Sequence, residues 1–554
     1  MTVPAVDPER AAWYRAQGWW GDRTLLDRVR ELARDRPDDV AFHADAGPLG
    51  WSGYLAAADR LAAVLAGCGL GPGDRVAVIV PDSATVHVAL LAVEAAGLVA
   101  VGIGARAGDR EIAHLVGRTG SRALVTLDEH RGRPMADLVS ALAAAGVEVG
   151  RHVVVPRFEA DPDGAILVDG VAAPAGEPSA ARRPLGPDDL FLINSTSGTT
   201  GLPKCVLHTQ NRWMYFHQVA ARHAALTPDE VVLSAVPAPF GFGIWTAHVT
   251  PTLLGAPTVV TERFDAARTL ELIDRHRVTM LACVSTQLVM MLAAADDTHD
   301  LTSLRVVFTG GEAVPYERAL AFEERTGCTV LQFFGSNETG LLSGTTLEDP
   351  PDRRLRTAGR VVPEMEVRLY DGDRDVTATG RGQPAGRGPA TCLGYLDDPA
   401  ANAELVNADG WMLMGDICTL DADGYLTVVG RTSDIIIRGG KNISAAQVED
   451  EVMTHPDVVL AAALAQPDPV FGERVCAYVE LVEGADLDLV GLGEHLARRG
   501  TSKELRPEAL VVLDRLPRSS GGKVAKGELK DDLARRLATD TRPDTGGPRR
   551  AQHR

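Results

Sequence analysis

The stretch STSGTTGLPK (Ser195–Lys204) follows directly after an apolar, strand-like run, DLFLIN (Asp189–Asn194), and is dense in hydroxyl side chains and glycine. Its hydroxyls and backbone N–H groups can wrap a polyphosphate, with Lys204 as a mobile positive charge. Most loops of this composition are plain surface loops. A Walker loop is excluded, because Pro203 stands where glycine precedes the lysine and no Ser or Thr follows it, and a GxSxG nucleophile elbow is absent. The stretch therefore indicates a phosphate-binding loop of another type.

Strands and helices alternate on both sides of this loop. DRVAVIV (74–80), LVAVGIG (98–104) and RALVTL (122–127) read as buried strands, and residues 105–120 between the last two form an amphipathic helix pattern. The alternation recurs from VTMLACV (278–284) onward. This spacing predicts an α/β architecture with a largely parallel sheet.

The length of 554 residues exceeds what one hydrophobic core normally supports. A small strand–turn–helix–strand unit begins after Arg431 and predicts a second domain. We expect an N-terminal domain over 1–432, a small C-terminal domain over 433–538 and a disordered tail over 539–554. The Ala/Pro/Gly-rich segment 171–187 is expected to be a surface connection.

The composition excludes several classes of partner. A net charge of −19 repels nucleic acid and anionic lipid, so neither is expected to bind. Seven dispersed cysteines without a CxxC pair indicate reduced thiols and a cytoplasmic protein. The N-terminus shows no apolar signal core, and the apolar run 84–104 reads as a core helix and a strand, so no membrane insertion is expected.

The loop Ser195–Lys204 resembles the phosphate-loop signature of the adenylate-forming superfamily, which includes acyl- and aryl-CoA synthetases, nonribosomal peptide adenylation domains and luciferases. The resemblance extends from about Trp13 to Leu529 and is strongest to the acyl-CoA ligases. It implies a large N-terminal domain of two helix-flanked β-sheets plus a β-barrel-like subdomain, followed by a small mobile α/β C-terminal domain. It also implies ATP, Mg²⁺ and coenzyme A as cofactors of a two-step ligase.

The segment QFFGSNET (Gln332–Thr339) resembles the part of the family that binds adenine and metal. By this resemblance Phe334 stacks on adenine and Glu338 holds Mg²⁺, and Asn337 replaces the usual threonine. The resemblance implies an ATP site made of these and other residues: Thr196, Ser197, Gly198, Thr199, Thr200, Gly201, Lys204, Gly311, Glu312, Phe334, Gly335, Asn337, Glu338, Asp416, Arg431 and Lys523.

The resemblance also implies roles for residues further along the chain. Asp416, at the end of GWMLMGD, would bind the ribose hydroxyls, although Met414 stands in the place of a threonine. Arg431 would lie near the ribose and phosphate. Lys523, at the end of LPRSSGGK, would bridge the acid's carboxylate and the α-phosphate. Lys523, Glu338 and Lys204 are thus the expected catalytic residues.

The resemblance also implies that the small C-terminal domain rotates between the two steps of the reaction. Ser433 falls at the hinge of the family, and serine tolerates the required backbone change. After rotation, Gly439 and Gly440 would line the tunnel for the pantetheine arm, where glycine lets a chain pass close to backbone.

The segment FGFGIW (240–245) narrows the class of carboxylic acid that the chain is expected to activate. Amino-acid-activating members carry an aspartate where Gly241 stands, and a buried ammonium without a carboxylate would be uncompensated. An α-amino acid is therefore not expected, whereas a bulky apolar acid (aryl, alicyclic, terpenoid or medium acyl) is. The predicted acyl pocket consists of Phe240, Gly241, Phe242, Trp245, Gly310 and Gly335. The same aromatic residues could equally pack in the core.

The small-molecule acid and coenzyme A are the expected partners, and three alternatives stay open. The first is an acyl-AMP ligase that loads the thiol of an acyl carrier protein. The second is a catalytically silent nucleotide-binding homologue, which the presence of all five charged motif residues disfavours. The third is a luciferase-like oxygenase reaction.

Overall fold

The structure is a computed structural model that describes residues 6–174, 183–196, 203–296, 298–312, 314–431, 434–519 and 523–540. By its internal contacts the chain divides into two units. The larger comprises Met1–Ser433 with Ser520–Lys523, and the smaller comprises Asp434–Ser519 with Val524–Arg554. The division thus groups Lys523 with the larger unit.

A nine-stranded sheet is the largest sheet of the larger unit. Its middle strands pair in parallel, and antiparallel strands close both edges. Its order is β19 (Arg360–Val361), β18 (Gly340–Gly344), β17 (Thr329–Ser336), β16 (Val306–Gly310), β15 (Met280–Ala282), β13 (Val232–Ser234), β14 (Thr258–Val259), β1 (Val40–Ala44) and β2 (Gly47–Gly50).

An eight-stranded sheet carries the phosphate loop at one edge. Five of its strands pair in parallel, from β8 to β11. Its order is β10 (Val171–Ala172), β9 (Leu167–Val168), β8 (Arg151–Val154), β5 (Ala123–Thr126), β3 (Arg75–Ile79), β4 (Val99–Gly102), β11 (Leu190–Ser195) and β12 (Cys205–Thr209).

The remaining strands of the larger unit are antiparallel. A six-stranded sheet stands where the resemblance implies a barrel-like subdomain, and a short hairpin pairs β6 (Glu129–His130) with β7 (Arg133–Pro134). The six strands are β21 (Arg374–Asp375), β20 (Glu366–Asp371), β22 (Arg381–Arg387), β24 (Asp416–Leu420), β25 (Leu426–Arg431) and β23 (Met412–Leu413), the last pairing with β22.

Helices surround these sheets. They are α1 (Pro8–Ala16), α2 (Leu25–Asp35), α3 (Trp51–Gly67), α4 (Ala84–Ala95), α5 (Asp109–Thr119), α6 (Met135–Ala144), α7 (Gln210–Ala224), α8 (Gly241–Gly243), α9 (Thr250–Leu254), α10 (Ala266–His276), α11 (Ser285–Ala294), α12 (Tyr316–Thr326), α13 (Pro351–Arg356) and α14 (Pro399–Leu405). A π-helix, Ile244–Val249, lies between α8 and α9, and a 3₁₀ turn covers Thr377–Thr379.

The smaller unit is a five-stranded sheet with three helices. Its order is β27 (Lys441–Ser444), β26 (Ile435–Arg438), β29 (Gly472–Leu481) and β28 (Val458–Asp468), with β30 (Ala509–Leu513) paired to β29. The helices are α15 (Ala445–Val452), α16 (Leu489–Arg498) and α17 (Lys526–Asp540), and a 3₁₀ turn covers Lys503–Leu505.

The apolar run 84–104 forms helix α4 and strand β4, and both are buried. All but one residue of α4 is buried, and every residue of β4 is buried. A parallel strand covered on both faces requires such a continuous apolar sequence. This arrangement confirms the predicted α/β class and the core helix followed by a buried strand. No helix within the described ranges has the length and apolarity to cross a bilayer.

Two boundaries differ from the predicted ones. The segment 171–187 begins with β10, which pairs with β9 as a short hairpin, so it is not wholly a loop; residues 175–182 lie outside the described residues. The tail was expected from Thr539, but α17 continues to Asp540, and residues 541–554 lie outside the described residues. Helix ends assigned from sequence are uncertain by one or two residues.

A buried ion pair between α12 and α13 gives a test of this packing. Arg354 and Glu323 are in contact with side chains only 7% and 10% exposed, and Arg354 also donates to the Val330 carbonyl at 3.1 Å. Glu323→Ala leaves the guanidinium buried without its carboxylate, so we expect a loss of about 3–5 kcal/mol in the free energy of unfolding, measured with urea. Glu324→Ala, at the exposed neighbouring position, is the control. Equal midpoints for the two variants would contradict the assignment.

Candidate active site

The base of the phosphate loop is closed by two hydrogen bonds. β11 and β12 pair antiparallel, which brings Thr196 next to Lys204. The Thr196 N–H donates to the Lys204 carbonyl at 3.1 Å, and the Lys204 N–H donates to Thr196 Oγ1 at 3.3 Å. The predicted ligands Ser197, Gly198, Thr199, Thr200 and Gly201 lie outside the described residues.

Tyr395 lies between Lys204 and Glu338. The Lys204 ammonium is 4.9 Å from the centroid of the Tyr395 ring, and the Tyr395 hydroxyl donates to Glu338 Oε1 at 2.7 Å. Burial first, and then the Glu338 carboxylate, raise the pKa of Tyr395, so the phenol stays protonated and remains a donor. The expected phosphate lysine and metal carboxylate thus share one aromatic neighbour.

Glu338 sits in the turn between β17 and β18. The Ser336 hydroxyl accepts from the backbone N–H of Glu338 at 3.2 Å and of Thr339 at 3.0 Å. The turn packs tightly, because a Cβ at Gly335 would lie 1.8 Å from the Gly340 carbonyl oxygen. Only glycine fits there, and the half-buried Phe334 precedes it.

A chain of buried polar side chains orients Asn337. Arg212 donates to the Asn337 carbonyl at 2.9 Å and contacts His208 Nδ1. An arginine has no acceptor, so His208 is the acceptor at Nδ1 and donates through Nε2 to Asn194 Oδ1 at 2.7 Å. The Asn337 amide also donates to that oxygen, at 2.7 Å.

The electrostatics of this chain follow from burial. Arg212 and His208 are fully buried. Burial lowers the pKa of Arg212 to about 10, so its guanidinium remains charged at neutral pH. Burial and the Arg212 charge lower the pKa of His208, which keeps that imidazole neutral.

Lys523 lies beside Gly311 within the larger unit. Its Nζ donates to the Gly311 carbonyl at 2.8 Å, and a Cβ at Gly311 would lie 2.5 Å from that nitrogen. Desolvation lowers the pKa of Lys523, the Glu312 carboxylate raises it in part, and Arg431 lowers it further. Glu312 itself accepts from the N–H and hydroxyl of Thr286 at the start of α11, at 3.3 and 3.2 Å.

Asp416 and Arg431 face each other across two strands. They are register partners in β24 and β25, and Arg431 Nε lies 3.2 Å from Asp416 Oδ1. The Asp416 side chain is 11% exposed and that of Arg431 is 47% exposed. Both charges act on Lys523, where Arg431 lowers the pKa and Asp416 raises it, so the three residues share one electrostatic environment.

The predicted acyl pocket divides into core and accessible residues. Trp245 is buried and packs on Phe216, Phe308 and Phe333, whereas Phe240 and Phe242 are half-buried. Core packing therefore accounts for most of the Trp245 surface. A cavity of about 40 Å³ also borders Phe240.

The glycines of this pocket permit close packing. A Cβ at Gly310 would lie 2.4 Å from the Phe333 carbonyl oxygen. A Cβ at Gly241 would lie 2.6 Å from Asn337 Oδ1 and 3.3 Å from the Trp213 ring. No side chain fits at Gly241 without displacing Asn337.

A π-helix forms the wall that carries Trp245. Pro251 follows it in α9 and lacks the N–H of a regular helical bond, and its ring would clash with the carbonyl of Ala247. The helix widens over Ile244–Val249, which is consistent with that proline. Such widened turns are frequent at functional sites.

The residues predicted to line the pantetheine tunnel and to form the hinge lie later in the chain, after β25. Gly439 and Gly440 form the turn between β26 and β27, with φ of +57° and +82°, and the Gly439 N–H donates to the Phe471 carbonyl at 2.8 Å. The hinge residue Ser433 lies outside the described residues.

Sequence reasoning missed Tyr395, Arg212, Asn194 and His208. Arg212 is the one charged residue in the aromatic stretch QNRWMYF, and a charged residue in such a stretch indicates a buried side chain with specific partners. Tyr395 had only a Gly-Tyr pair in a loop to mark it, and the two residues that its ring and hydroxyl contact, Lys204 and Glu338, are 57 residues away or more.

Comparisons with known proteins place the chain in a family. One family model, described as AMP-binding enzyme, matches residues 29–396, and another, described as AMP-binding enzyme C-terminal domain, matches 447–523. The chain is 34% identical to the salicyl-AMP ligase / salicyl-S-ArCP synthetase of Mycobacterium tuberculosis, covering 97% of this chain and 95% of that protein. It is 33% identical to the 2-hydroxy-7-methoxy-5-methyl-1-naphthoate–CoA ligase of Streptomyces carzinostaticus, covering 97% and 98%. ATP-bound MatB from Rhodopseudomonas palustris has a TM-score of 0.79 at 25% identity, covering 92% and 99%.

Gly241→Ala tests the predicted acyl pocket. The added methyl group must displace Asn337, and overpacking of this kind costs about 1–3 kcal/mol. We expect kcat/KM for the acid in pyrophosphate exchange to fall roughly 5- to 150-fold. Gly67→Ala, where nothing lies within 4 Å of the new Cβ, is the control. An unchanged kcat/KM in Gly241→Ala would place the pocket elsewhere.

Proposed function

The chain belongs to the AMP-binding enzyme family, and we propose that it activates an aromatic carboxylic acid with ATP as an acyl-adenylate and transfers the acyl group to the thiol of coenzyme A. The observation that carries this proposal is the Lys523 ammonium, held at the Gly311 carbonyl with Glu312, Arg431 and Asp416 as its charged neighbours. A cation of this kind is what an approaching carboxylate and triphosphate require.

The first step joins the two anions. A carboxylate oxygen of the acid attacks the α-phosphorus of ATP, the bond to the α–β bridging oxygen breaks, and pyrophosphate leaves. Lys523 offsets the repulsion between the two anions, which in a desolvated site amounts to several kcal/mol. Asp416 would bind the ribose hydroxyls and Phe334 the adenine, so that the reacting atoms are held close together.

The second step needs no side-chain nucleophile. The thiol loses its proton, its sulfur attacks the acyl carbon, and AMP leaves with the electron pair of the broken bond. Gly439 and Gly440 would line the path of the thiol arm, and Ser433 would be the hinge of the domain rotation. Proximity of the bound reactants carries this step.

Glu338 suits a divalent cation bound together with the nucleotide. Among the residues that the structure describes, no group of three or more His, Cys, Asp or Glu side chains could hold a metal alone. Mg²⁺ is usually held by one or two carboxylates plus substrate phosphate oxygens, and Glu338 with the phosphates of ATP supplies that set. The cation would neutralise charge on the phosphates.

The aromatic nature of the acid rests on two kinds of support. Phe240 and Phe242 offer half-buried rings, and Gly241 leaves no carboxylate for an α-ammonium group. The two relatives are named for a salicyl and a naphthoate group. One of them is a CoA ligase and the other is named for a carrier-protein product, so loading of a carrier thiol is the second candidate. Seven separate free cysteines fit a reducing compartment, and a cytoplasmic location is part of the proposal.

Lys523→Ala tests the role of the cation. We expect acid-dependent ATP–pyrophosphate exchange to fall by about 10²–10³-fold, the effect of removing one donor to developing charge. Thioester formation from supplied acyl-adenylate should change far less. Lys503→Ala, at an exposed position, is the control. Exchange at the parental rate in Lys523→Ala would refute the assigned role of Lys523.

A separate assay decides the acceptor of the acyl group: the parent enzyme is supplied with coenzyme A or with a carrier protein, and the thioester products are compared.

The pH dependence of adenylation gives a second test. The charged form of Lys523 is the active one, and burial lowers its pKa below the ordinary lysine value of about 10.4. The rate of exchange should therefore fall as pH rises, and at a lower pH than for a solvated lysine. Lys523→Arg keeps its charge, so its residual activity should lose this alkaline limb. If the exchange rate of Lys523→Arg falls at the same alkaline pH as that of the parent enzyme, a group other than Lys523 titrates.

A further inference from the structure

Tyr395 touches both charged groups that would meet the phosphates of the nucleotide. We propose that Tyr395 is a positioning residue, which holds Lys204 and Glu338 apart in a fixed arrangement so that the phosphate chain and its divalent cation are bound as one unit. This inference rests on the proposed function, because it assigns the ligands of both groups to the same nucleotide.

The hydroxyl of Tyr395 fixes one oxygen of the carboxylate. It donates to Glu338 Oε1 at 2.7 Å, and among the described residues it is the only side chain that hydrogen-bonds to this carboxylate. The other oxygen is left to face a cation. Partners of this kind orient a metal-binding carboxylate and are typically worth 10- to 100-fold in affinity or activity.

The ring of Tyr395 fixes the cation on its other side. Lys204 Nζ lies 4.9 Å from the ring centroid, within the range of a cation–π contact. No ion pair within the described ranges includes Lys204, so its charge is available to a phosphate. If the ring were absent, Lys204 and Glu338 could pair directly, and each would neutralise the group that the nucleotide needs.

The backbone around Tyr395 links the same two places. Tyr395 forms an isolated antiparallel bridge with Val206, two residues after Lys204. The Cys392 N–H donates to the Glu338 carbonyl at 2.8 Å. Segment 392–395 is therefore bonded to the strand that carries the lysine and to the turn that carries the carboxylate.

The Tyr395 backbone is itself restrained. Its N–H donates to Asn402 Oδ1 at 2.8 Å, and the Asn402 amide donates back to the Tyr395 carbonyl at 2.9 Å. The residue is 7% exposed. A ring held at its backbone and buried can act as a rigid spacer.

Two substitutions separate the hydroxyl from the ring. Tyr395→Phe removes the bond to Glu338 and keeps the ring under Lys204, whereas Tyr395→Leu removes both. The measurement is calorimetric binding of α,β-methylene-ATP, once with excess Mg²⁺ and once with EDTA. The metal-free dissociation constant reports on Lys204, and the gain in affinity on adding Mg²⁺ reports on Glu338.

We expect Tyr395→Phe to reduce the gain from Mg²⁺ by about tenfold with metal-free binding unchanged. Tyr395→Leu should reduce the gain as well and should also weaken metal-free binding, roughly threefold to tenfold. Tyr395→Met, whose longer unbranched side chain adapts better to the space of the ring, replaces the leucine variant if thermal unfolding shows that the leucine variant does not fold.

Tyr215→Phe is the matched control, because its hydroxyl also donates to a carboxylate, Glu364, at 3.1 Å in the same unit. It should bind as the parent does. A parental gain from Mg²⁺ in Tyr395→Phe, the same loss in Tyr215→Phe, or parental metal-free binding in Tyr395→Leu would each overturn the proposal. The titration needs no carboxylic acid, so a parent enzyme that binds the nucleotide but shows no acid-dependent exchange refutes the proposed function alone.

Discussion

Two anions, a carboxylate and a triphosphate, have to meet in this protein, whose net charge is −19. The overall field opposes both ligands, so every favourable charge has to be local. The chain supplies Lys204 beside a tyrosine ring, Lys523 against a backbone carbonyl and Arg431 across from Asp416. Lys204 and Lys523 are held by neutral groups, a ring and a backbone carbonyl, which leaves their charge for the ligand, whereas Arg431 is paired with Asp416.

Close backbone packing is the second requirement. Gly335, Gly311 and Gly241 stand where a Cβ would collide with the Gly340 carbonyl, with Lys523 and with Asn337, respectively. Each of these glycines lets the backbone approach its neighbour, a turn carbonyl, the Lys523 ammonium or the Asn337 amide, more closely than any other residue would allow. The charges can therefore converge without large voids between them.

The sequence predicts the parallel strands and the family motifs well, because both depend on short-range patterns. VAVIV (76–80), within DRVAVIV, and LVAVGIG are apolar throughout, as strands covered on both faces must be, and they contain most of β3 and β4. The contacts of Tyr395 and Arg212 could not be predicted in this way. Arg212 reaches Asn337 across 125 residues and Tyr395 reaches Glu338 across 57, and no local period encodes such pairs. The end of α17 at Asp540 also differs from the predicted domain end by two residues, because sequence patterns do not define a helix end more closely than that.

The π-helix at Ile244–Val249 carries one residue more than an α-helix would need for the same rise. A π turn needs more residues for each full turn than an α turn, so six π-helical residues cover about the same arc as five α-helical ones. Deleting one residue would therefore remove the bulge and one side chain from the wall beside Trp245, while the helix on either side kept its direction and the sheets stayed in place. This short segment is a point at which the surface beside Trp245 could be reshaped by the loss of a single residue.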